Sequence, residues 1–398
     1  MDKKLDKVVF LGMYPWYDQS INDTVRCLVR AADGLQRVYI DPPLGLRATV
    51  TNGKYLLQSL AWQSSTDGDV NILKPPLGFA PMALGLRAQA DRWAAKKLDT
   101  MLNARWGPQW REETLLYVSS YSYTQRELIK ELAPRHLFFH IVDDNFSFPS
   151  VQNDRRVWQA QEKYFTYMMA NSTVVTAVSP VIAEKYSEKY QRSVEVLRNG
   201  VDVPHFAAAA NSLPPEDLLA VDRPVLLFIG AINSWIDIKL LDQVAQSLPE
   251  SLLILVGPCF NDSVDQATWQ RLTSRTNVRW LGSKPYQQLP QYAGVAKVLL
   301  LPRTNDEHSR ASDPLKLYEY LATGQAVVST PLPSALQYSD YVYVAETPEE
   351  FVQQIKLALV EHTTDQAARQ REFAQQFAWP HKIKQMSQLL EQSANVTL

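Results

Sequence analysis

The stretch VLLFIGAINSWIDIKLLDQVAQSLPESLLILVGP, residues 225 to 258, holds two apolar runs separated by a segment of helical pattern. The runs cover 225–229 and 252–256, and each ends at a glycine, Gly230 or Gly257. Short apolar runs that alternate with helices are typical of parallel strands buried on both faces. The stretch therefore predicts a strand, a helix and a second strand of a doubly wound α/β sheet.

Similar runs occur on both sides of this unit and fall into two series. Between the series, over 206–224, the periodicity fades and prolines gather, as is typical of a domain boundary. We therefore predict an α/β protein with two Rossmann-like doubly wound domains, 1–205 and 223–379, joined by a linker over 206–222 and followed by a helix over 380–398. The first series is VVFLGM, RVYIDPP, LLYVSS, HLFFHIVDD and VVTAVS, and the second is VLLFIGA, LLILVGP, VRWLG, VLLLP and AVVSTP.

The composition excludes several classes of protein. The formal net charge of −2 over 398 residues gives no indication of a polyanionic partner such as nucleic acid. The two cysteines, Cys27 and Cys259, are far apart and lack metal-ligand spacing, which excludes a disulfide scaffold. No stretch approaches the ~20 apolar residues of a membrane span, and the first residues lack a signal-peptide cleavage site. We therefore expect a cytoplasmic protein.

One segment raises the question of membrane association. Residues 83–106, ALGLRAQADRWAAKKLDTMLNARW, combine an apolar stripe with Arg92 and Lys96 on the opposite side. A basic amphipathic helix of this kind can lie on an anionic membrane surface, which would bring the protein to the inner face of the membrane. Asp91 and Asp99 dilute the positive charge, and we therefore favour a helix that faces the core.

The stretch SDPLKLYEYLATG, residues 312 to 324, has the signature of a helix start. Asp313 is a good N-cap and Pro314 suits the first helical position. A helix N-terminus presents unpaired amides and a partial positive charge, to which Lys316 adds a full charge, so this end of the helix suits a phosphate. Glu319, one turn on, can accept two hydrogen bonds from a vicinal diol such as a ribose. The pair therefore suits a nucleoside diphosphate.

A simpler interpretation is a surface ion pair between Lys316 and Glu319 across one helical turn, worth about 0.2–0.5 kcal/mol. The position of the helix favours the ligand instead. The helix follows the apolar run VLLLP and its loop, and open α/β sheets bind ligands beyond the carboxyl ends of their strands.

Five motifs occur in an order that resembles a known family. They are VLRNGVDVPHF, VLLFIGAINSWIDIKLL, LLILVGP, NVRWLGSKPYQQLPQY and DPLKLYEYLATGQAVVST, and they cover most of residues 170 to 345. The series is similar to the two-domain GT-B glycosyltransferases, in particular to the bacterial group that includes teichuronic acid biosynthesis glycosyltransferases and exopolysaccharide glucuronosyltransferases.

The resemblance implies a division of labour between the two domains, which in the GT-B fold face a central cleft. The C-terminal domain would bind the nucleotide sugar and the N-terminal domain the acceptor, and the last helix would pack back on the N-terminal domain. Lys316 would contact the diphosphate and Glu319 the ribose. The resemblance implies these further donor-binding positions: Gly230 and Asn233 after the first strand of the domain, the backbone of Ser283 and Lys284 at the base, and Arg303 at the phosphate or the sugar.

Two aspartates, Asp143 and Asp144, end the run HLFFHIVDD at the carboxyl end of a predicted strand in the first domain. Glycosyl transfer needs a base within hydrogen-bond reach of the acceptor hydroxyl, and a carboxylate can take that proton. In the glucuronosyltransferase-like members an aspartate at the place of Asp143 acts as this base. The alternative is a loop or capping role, a common use of Asp after a strand. His140 is a further candidate base, although a histidine inside a strand is more often part of the core.

The segment MYPWYDQSIN, residues 13 to 22, follows the first strand and is expected to line the acceptor side. Trp16 and Tyr17 suit stacking on sugar rings, with Asn22 as a polar contact, although aromatic residues beside a proline are as often packing residues. No HExxH or CxxC spacing occurs, and Asp143 and Asp144 lack the intervening residue of a metal-binding DxD motif, so we expect no required metal and no cofactor.

Some positions depart from the family pattern. Many retaining members carry a glutamate eight residues before the position of Glu319 and a basic residue after the position of Gly230, where this chain has Ala311 and Ala231. We predict a glycosyltransferase of hexosyltransferase type that moves a sugar from a nucleotide donor, a UDP-sugar, to a glycan or lipid-linked acceptor in the synthesis of a cell-surface polysaccharide. The alternatives are a nucleotide-sugar epimerase of the same fold and a non-catalytic nucleotide-sugar-binding protein.

Overall fold

The computed structural model describes residues 3–18, 23–42, 62–75, 87–219 and 221–398. Contacts divide the chain into two compact units, the first comprising Met1–Arg198 with Lys382–Leu398 and the second Asn199–His381. Within the described part of the chain, no helix is both long enough and apolar enough to cross a bilayer.

The main sheet of the first unit has, within the described residues, the strand order β4-β5-β3-β2-β6-β7-β8-β9. All neighbours are parallel except β4 and β5, which form an antiparallel pair. A separate parallel pair joins β1 to β16. The strands are β1 (Lys3–Lys4), β2 (Lys7–Leu11), β3 (Gln36–Ile40), β4 (Gln63–Asp67), β5 (Val70–Lys74), β6 (Thr114–Ser119), β7 (His136–Ile141), β8 (Val174–Ala177), β9 (Glu195–Val196) and β16 (Val396–Thr397).

Helices connect these parallel strands, as a doubly wound sheet requires. They are α1 (Thr24–Ala31), α2 (Arg87–Trp106), α3 (Trp110–Glu113), α4 (Arg126–Leu132), α5 (Pro149–Gln152), α6 (Arg155–Asn171) and α7 (Pro180–Tyr190).

The sheet of the second unit has the order β12-β11-β10-β13-β14-β15 and is parallel throughout. Its strands are β10 (Val225–Ile229), β11 (Leu252–Val256), β12 (Val278–Trp280), β13 (Val298–Leu301), β14 (Ala326–Ser329) and β15 (Tyr343–Val344). Its helices are α8 (Val203–Ala207), α9 (Ile238–Ser247), α10 (Gln266–Thr273), α11 (Leu289–Val295), α12 (Glu307–Ala311), α13 (Leu315–Thr323), α14 (Pro333–Gln337), α15 (Pro348–Glu361) and α16 (Thr364–Gln375). The last helix, α17 (Trp379–Ala394), begins in this unit and continues into the segment assigned to the first.

The strands of the second unit are continuous apolar runs because both faces of the sheet are buried. In β10, Leu227 and Ile229 belong to one hydrophobic cluster, whereas Leu226 and Phe228 belong to a second one. Successive side chains of a strand point to opposite faces, so the two clusters are the packing layers on the two sides of the sheet. The doubly wound α/β architecture predicted from these runs is confirmed.

The contact boundary lies between Arg198 and Asn199, ahead of the predicted linker over 206–222. Part of the predicted linker is packed rather than extended. Phe206, Ala209 and Leu218 are buried and belong to a hydrophobic cluster of the second unit. These three residues therefore belong to the core of the second unit and do not form an extended linker.

Candidate active site

The strand order of the second unit creates a topological switch point beside β10. The chain leaves β10 for β11 on one side, and β13 pairs with β10 on the other side. In open α/β sheets, the crevice beyond the carboxyl ends of two such strands is where ligands bind. Gly230 directly follows β10 and Arg303 closely follows β13, so both lie at this end of the sheet.

A tyrosine hydroxyl fills the gap where β10 and β13 separate. Strands β10 and β13 pair at Leu226 and Leu227. At Ile229, on the side of β13, β10 is instead hydrogen-bonded by the fully buried Tyr320 of α13. The Tyr320 hydroxyl accepts a hydrogen bond from the Ile229 amide (2.8 Å) and donates one to the Ile229 carbonyl (3.3 Å). These bonds satisfy the end of β10 and fix α13 beside the switch point.

The loop after β10 is hydrogen-bonded to the loop after β13. The Asp237 amide donates to the Pro302 carbonyl (2.8 Å), and the Thr304 amide donates to the Trp235 carbonyl (3.1 Å). Within the first loop, the buried Asn233 accepts hydrogen bonds from the Trp235 amide (3.3 Å) and from the Ile236 amide (3.0 Å). Asn233 therefore shapes the loop that brings Gly230 and Arg303 to the same end of the sheet.

Arg303 connects this loop to the segment before α13. Its Nη2 donates a hydrogen bond to Ser312 Oγ (3.1 Å), and its guanidinium lies 5.8 Å from the centroid of the Trp235 ring. The structure thus brings together the predicted positions Gly230, Asn233 and Arg303 and the segment that leads into α13.

Helix α13 begins at Leu315, with Pro314 in the N-cap position and no side chain as a cap. The prediction that Asp313 caps this helix is therefore wrong. Its buried carboxylate instead accepts hydrogen bonds from the Asn199 amide (2.9 Å) and the Tyr318 hydroxyl (2.6 Å). Because Asp313 is directed elsewhere, no carboxylate caps the amides of the first turn, which is the arrangement that an anion requires.

Lys316 and Glu319 form an ion pair, with 2.5 Å between Lys316 Nζ and Glu319 Oε2. The side chain of Glu319 is only 2% exposed, whereas that of Lys316 is 25% exposed. Among the residues that the structure describes, Lys316 is the one ion-pair partner of Glu319. A buried carboxylate requires hydrogen bonds, so this pair differs from the freely exposed helix pair considered as the alternative.

Ser283 and Lys284 follow β12, which is the edge strand of the sheet, two strands away from β10. Lys284 Nζ donates to Asp217 Oδ2 (2.8 Å), and the Tyr292 hydroxyl also donates to Asp217 (3.0 Å). The hydrogen bond that Lys284 donates to Asp217 raises the pKa of Lys284 above its usual value. The Lys284 side chain is thus engaged by Asp217 within the second unit.

In the first unit, Asp143 follows β7 and contacts a tyrosine that follows the neighbouring strand β6. The Tyr121 hydroxyl donates to Asp143 Oδ2 at 2.7 Å. Burial, the charge of Asp23 and the charge of Asp143, in this order, raise the pKa of Tyr14, which follows β2. Strands β2, β6 and β7 are consecutive in the sheet, so Tyr14, Tyr121 and Asp143 all follow the carboxyl ends of neighbouring strands.

Asp144 has a different environment. Its side chain is 1% exposed, Lys185 Nζ donates to its Oδ2 (2.7 Å), and the Tyr186 hydroxyl donates to its Oδ1 (3.0 Å). Both partners belong to α7, so this carboxylate attaches the loop after β7 to that helix.

His140 is a core histidine. Its Nδ1 lies 2.7 Å from Thr176 Oγ1, and its side chain is buried. Burial, and after it the charge of Lys382, lower the pKa of His140 to about 3.

The aromatic residues expected on the acceptor side differ in exposure. Trp16 is 3% exposed, its Nε1 donates to Asp67 Oδ2 (2.8 Å), and its ring contacts Tyr39 at 4.9 Å between centroids. A buried ring cannot stack on a sugar, so Trp16 is a packing residue. Tyr17 is 50% exposed and stays a candidate, whereas Asn22 lies outside the described residues.

Sequence reasoning missed two tyrosines of these sites, Tyr121 and Tyr320. Tyr121 follows the run LLYVSS as Asp143 follows HLFFHIV, so the shared edge of parallel strands was a usable signal. Tyr320 lies inside the motif KLYEY, but its bond to Ile229, 91 positions away, depends on the tertiary structure. Within the described residues, no group of three or more His, Cys, Asp or Glu side chains has the arrangement of a metal site.

Comparison with known proteins identifies the part of the second unit that holds these residues. Residues 223–361 match the family model described as Glycosyl transferases group 1. Most of the second unit therefore matches the group 1 glycosyl transferases. This match covers Gly230, Arg303, Lys316 and Glu319, and it confirms the resemblance drawn from the ordered motifs.

A relative of known name also matches this chain. A protein of Bacillus subtilis (strain 168) named as the teichuronic acid biosynthesis glycosyltransferase TuaH is 30% identical over 154 residues. That match spans 38% of this chain and 38% of the relative, so the chain covers well under half of the relative's length.

Solved structures extend the likeness from the group 1 domain to almost the whole chain. A sucrose-phosphate synthase from Thermosynechococcus elongatus is 17% identical with a TM-score of 0.67, and the match covers 97% of this chain and 98% of that one. An E. coli structure described as trehalose-6-phosphate bound with UDP-2-fluoro glucose is 10% identical with a TM-score of 0.68, and the match covers 97% and 99%. The chain therefore has the GT-B fold.

Proposed function

We propose that this protein is a glycosyltransferase that moves a hexose from a UDP-sugar to a hydroxyl group of a glycan or lipid-linked acceptor. The observation that carries the proposal is the pair of basic residues near the switch point of the second unit. Lys316 lies in the first turn of a helix without a side-chain cap, and Arg303 donates a hydrogen bond to Ser312, three residues before that helix begins. Cationic side chains and helix amides stabilise a diphosphate leaving group where its negative charge develops.

Glu319 is the proposed partner of the ribose. It is buried in the second turn of α13, and its present hydrogen-bond donor, Lys316, is also the proposed diphosphate contact. When Lys316 turns to the diphosphate, the ribose hydroxyls supply donors to the Glu319 carboxylate. Gly230, Asn233 and the Ser283 to Lys284 backbone complete the proposed donor site.

Asp143 is the proposed base. The acceptor oxygen attacks C1 of the sugar, the bond between C1 and the UDP oxygen breaks with its electron pair leaving on UDP, and the acceptor proton passes to Asp143. Its place beyond a parallel strand and its hydrogen bond to Tyr121 support this role. Tyr17 is a proposed acceptor contact, because it is half exposed and follows β2, which lies two strands from β7 in the same sheet.

A nucleotide-sugar screen tests the proposed function. The purified chain is incubated with UDP, UDP-glucose, UDP-galactose and UDP-glucuronic acid, and binding is followed by thermal shift, since a ligand of the native state raises the melting temperature. UDP release and the sugar products are then measured with water and with a bacterial lipid extract as the acceptor. UDP release or transfer to lipid supports the transferase. Isomerised sugar supports an epimerase, and binding without turnover supports a binding protein.

A substitution tests the donor site separately. Glu319→Gln keeps the volume of the side chain and removes its charge, so we expect a loss of affinity of about tenfold for UDP and for UDP-sugars alike. Uridine, which shares the base and the ribose of UDP but has no phosphate, serves as a comparison ligand. An unchanged affinity for UDP would remove Glu319 from the site.

A further inference from the structure

We propose that Tyr121 is a positioning residue for Asp143, holding the carboxylate through its Oδ2 atom in the orientation in which it meets the acceptor hydroxyl. This inference rests on the proposed function of Asp143. The observation is the hydrogen bond from the Tyr121 hydroxyl to Asp143 Oδ2 at 2.7 Å, between residues that follow the neighbouring strands β6 and β7.

Both residues are placed by regular structure. The strands β6 and β7 pair in parallel register, with Ser119 opposite His140, so the two chains leave the sheet side by side. The Ser120 amide continues this pairing to the His140 carbonyl (2.9 Å), and the Asn145 amide donates to the Asp143 carbonyl (2.9 Å). The ring of Tyr121 lies 6.2 Å from that of Phe148 between centroids, in a tilted arrangement. The residue before Tyr121 is therefore fixed beside β7, and the ring of Tyr121 packs near Phe148.

The chemistry requires that the phenol keep its proton. Burial, and after it the charge of Asp143, raise the pKa of Tyr121 well above its usual value. At neutral pH the hydroxyl is thus always the donor and the Asp143 carboxylate the acceptor. A hydrogen bond to the charged form of a carboxylate favours that form, which keeps a base ready to accept a proton.

The arrangement separates Asp143 from its sequence neighbour. Asp144 is held by a lysine and a tyrosine of α7, at both of its oxygens. Asp143 is held by a neutral phenol on Oδ2. The hydrogen bond from Tyr121, which follows β6, therefore orients the Asp143 carboxylate, whereas residues of α7 orient Asp144.

The test compares Tyr121→Phe with Tyr164→Phe. The Tyr164 hydroxyl is also buried and donates to the Ser119 carbonyl (2.7 Å), so its removal controls for a lost buried hydroxyl at the end of β6. Turnover is measured as UDP release from the UDP-sugars of the screen, across pH 5 to 9. We expect Tyr121→Phe to lower kcat about tenfold and to move the acid limb of the pH profile up by about one unit, with the affinity for UDP unchanged. Tyr164→Phe should keep the pH profile of the parent.

Asp143→Asn separates the two levels of the proposal. If Asp143→Asn is inactive while Tyr121→Phe keeps the kcat and the pH profile of the parent, the positioning role is wrong and the base remains. If Asp143→Asn turns over normally, or the parent chain has no turnover, the proposed function fails and the inference fails with it. A lower kcat for Tyr121→Phe with an unmoved acid limb would reduce Tyr121 to a structural residue and overturn the inference.

Discussion

The second unit places Arg303 and Lys316 beyond the carboxyl ends of its parallel strands, whereas the first unit places Asp143 and Asp144 beyond the ends of its own. The basic residues follow one strand, β13, and lie within 14 positions of each other along the chain. The acidic site instead combines loops after three strands, since Tyr121 and Tyr14 follow β6 and β2. The proposed anion site is therefore built from one continuous segment of the chain, whereas the proposed proton acceptor depends on loops that are far apart in the sequence.

The largest expected effect comes from a substitution of the acidic residue Asp143 in the first unit. Asp143→Asn keeps the shape of the carboxylate but cannot take a proton, so we expect kcat to fall by about 10²- to 10⁴-fold with donor affinity unchanged. UDP release measures the first quantity and calorimetry with UDP the second.

Asp144→Asn is the matched control for this substitution. It removes the charge that pairs with Lys185, and we expect it to lower the free energy of unfolding by about 1–3 kcal/mol while retaining most of the turnover. If the two variants exchanged these phenotypes, Asp144 would be the base.

A second substitution tests whether the first unit can be destabilised without a change in the affinity for UDP. Leu390 of α17 is fully buried in the segment assigned to the first unit, and Leu390→Ala should cost about 2–5 kcal/mol of stability. Urea unfolding measures this loss, and the affinity of the folded protein for UDP should stay unchanged.

The control is Leu389→Ala at the adjacent, half-buried position. An equal loss of stability for Leu389→Ala and Leu390→Ala would contradict the packing of this helix on the first unit, which we also propose for the whole segment over 380–398.

The basic side is tested by Lys316→Ala. A hydrogen bond to a charged group is worth about 1.5–3 kcal/mol, so the affinity for UDP should fall about ten- to a hundredfold. Lys297→Ala removes the same charge at the opposite, amino-terminal end of β13 and should leave the affinity unchanged. Equal affinities for the two variants would leave Lys316 only its ion pair with Glu319.

The smallest expected effect concerns His140, the third candidate base. Its pKa is lowered to about 3 from an ordinary value of 6.5, so between these values the unfolded chain binds a proton that the folded one does not. Stability is therefore unaffected above about pH 6.5 and falls as the pH falls, by about 2 kcal/mol at pH 5 from this group.

Urea unfolding at pH 7 and pH 5 measures this contribution. The loss between the two pH values should be smaller in His140→Asn than in the parent, and His381→Asn, at an exposed position, should behave as the parent does. A parent-like loss in His140→Asn would mean that His140 is not the source of the pH dependence.

The sequence predicted the architecture because a strand buried on both faces must be apolar along its whole length. VLLFI and LLILV leave few other interpretations, and both are strands. The basic positions of the second unit were equally easy to predict, because β13, Arg303 and the first turn of α13 follow one another closely in the sequence. Local sequence patterns were thus sufficient to predict the fold and the positions of the basic residues in the candidate site.

The errors occurred where long-range contacts override local preference. Asp313 has the residue type of an N-cap, but Asn199, 114 positions away, takes its carboxylate. Trp16 has the residue type of a sugar platform, but Asp67 and Tyr39 bury it. Neither partner can be identified from spacing along the chain, because only the folded sheet brings β2, β3 and β4 together.

Gly257 limits how the donor site can evolve. A Cβ atom at this position would lie 1.9 Å from the Gly230 carbonyl oxygen, and its φ of +143° disfavours other residues as well. Any substitution at Gly257 must push the backbone that leads into the loop after β10. If the proposed function is correct, a directed-evolution library should therefore change the donor preference through side-chain substitutions within residues 231–236. The backbone of this loop tolerates little displacement.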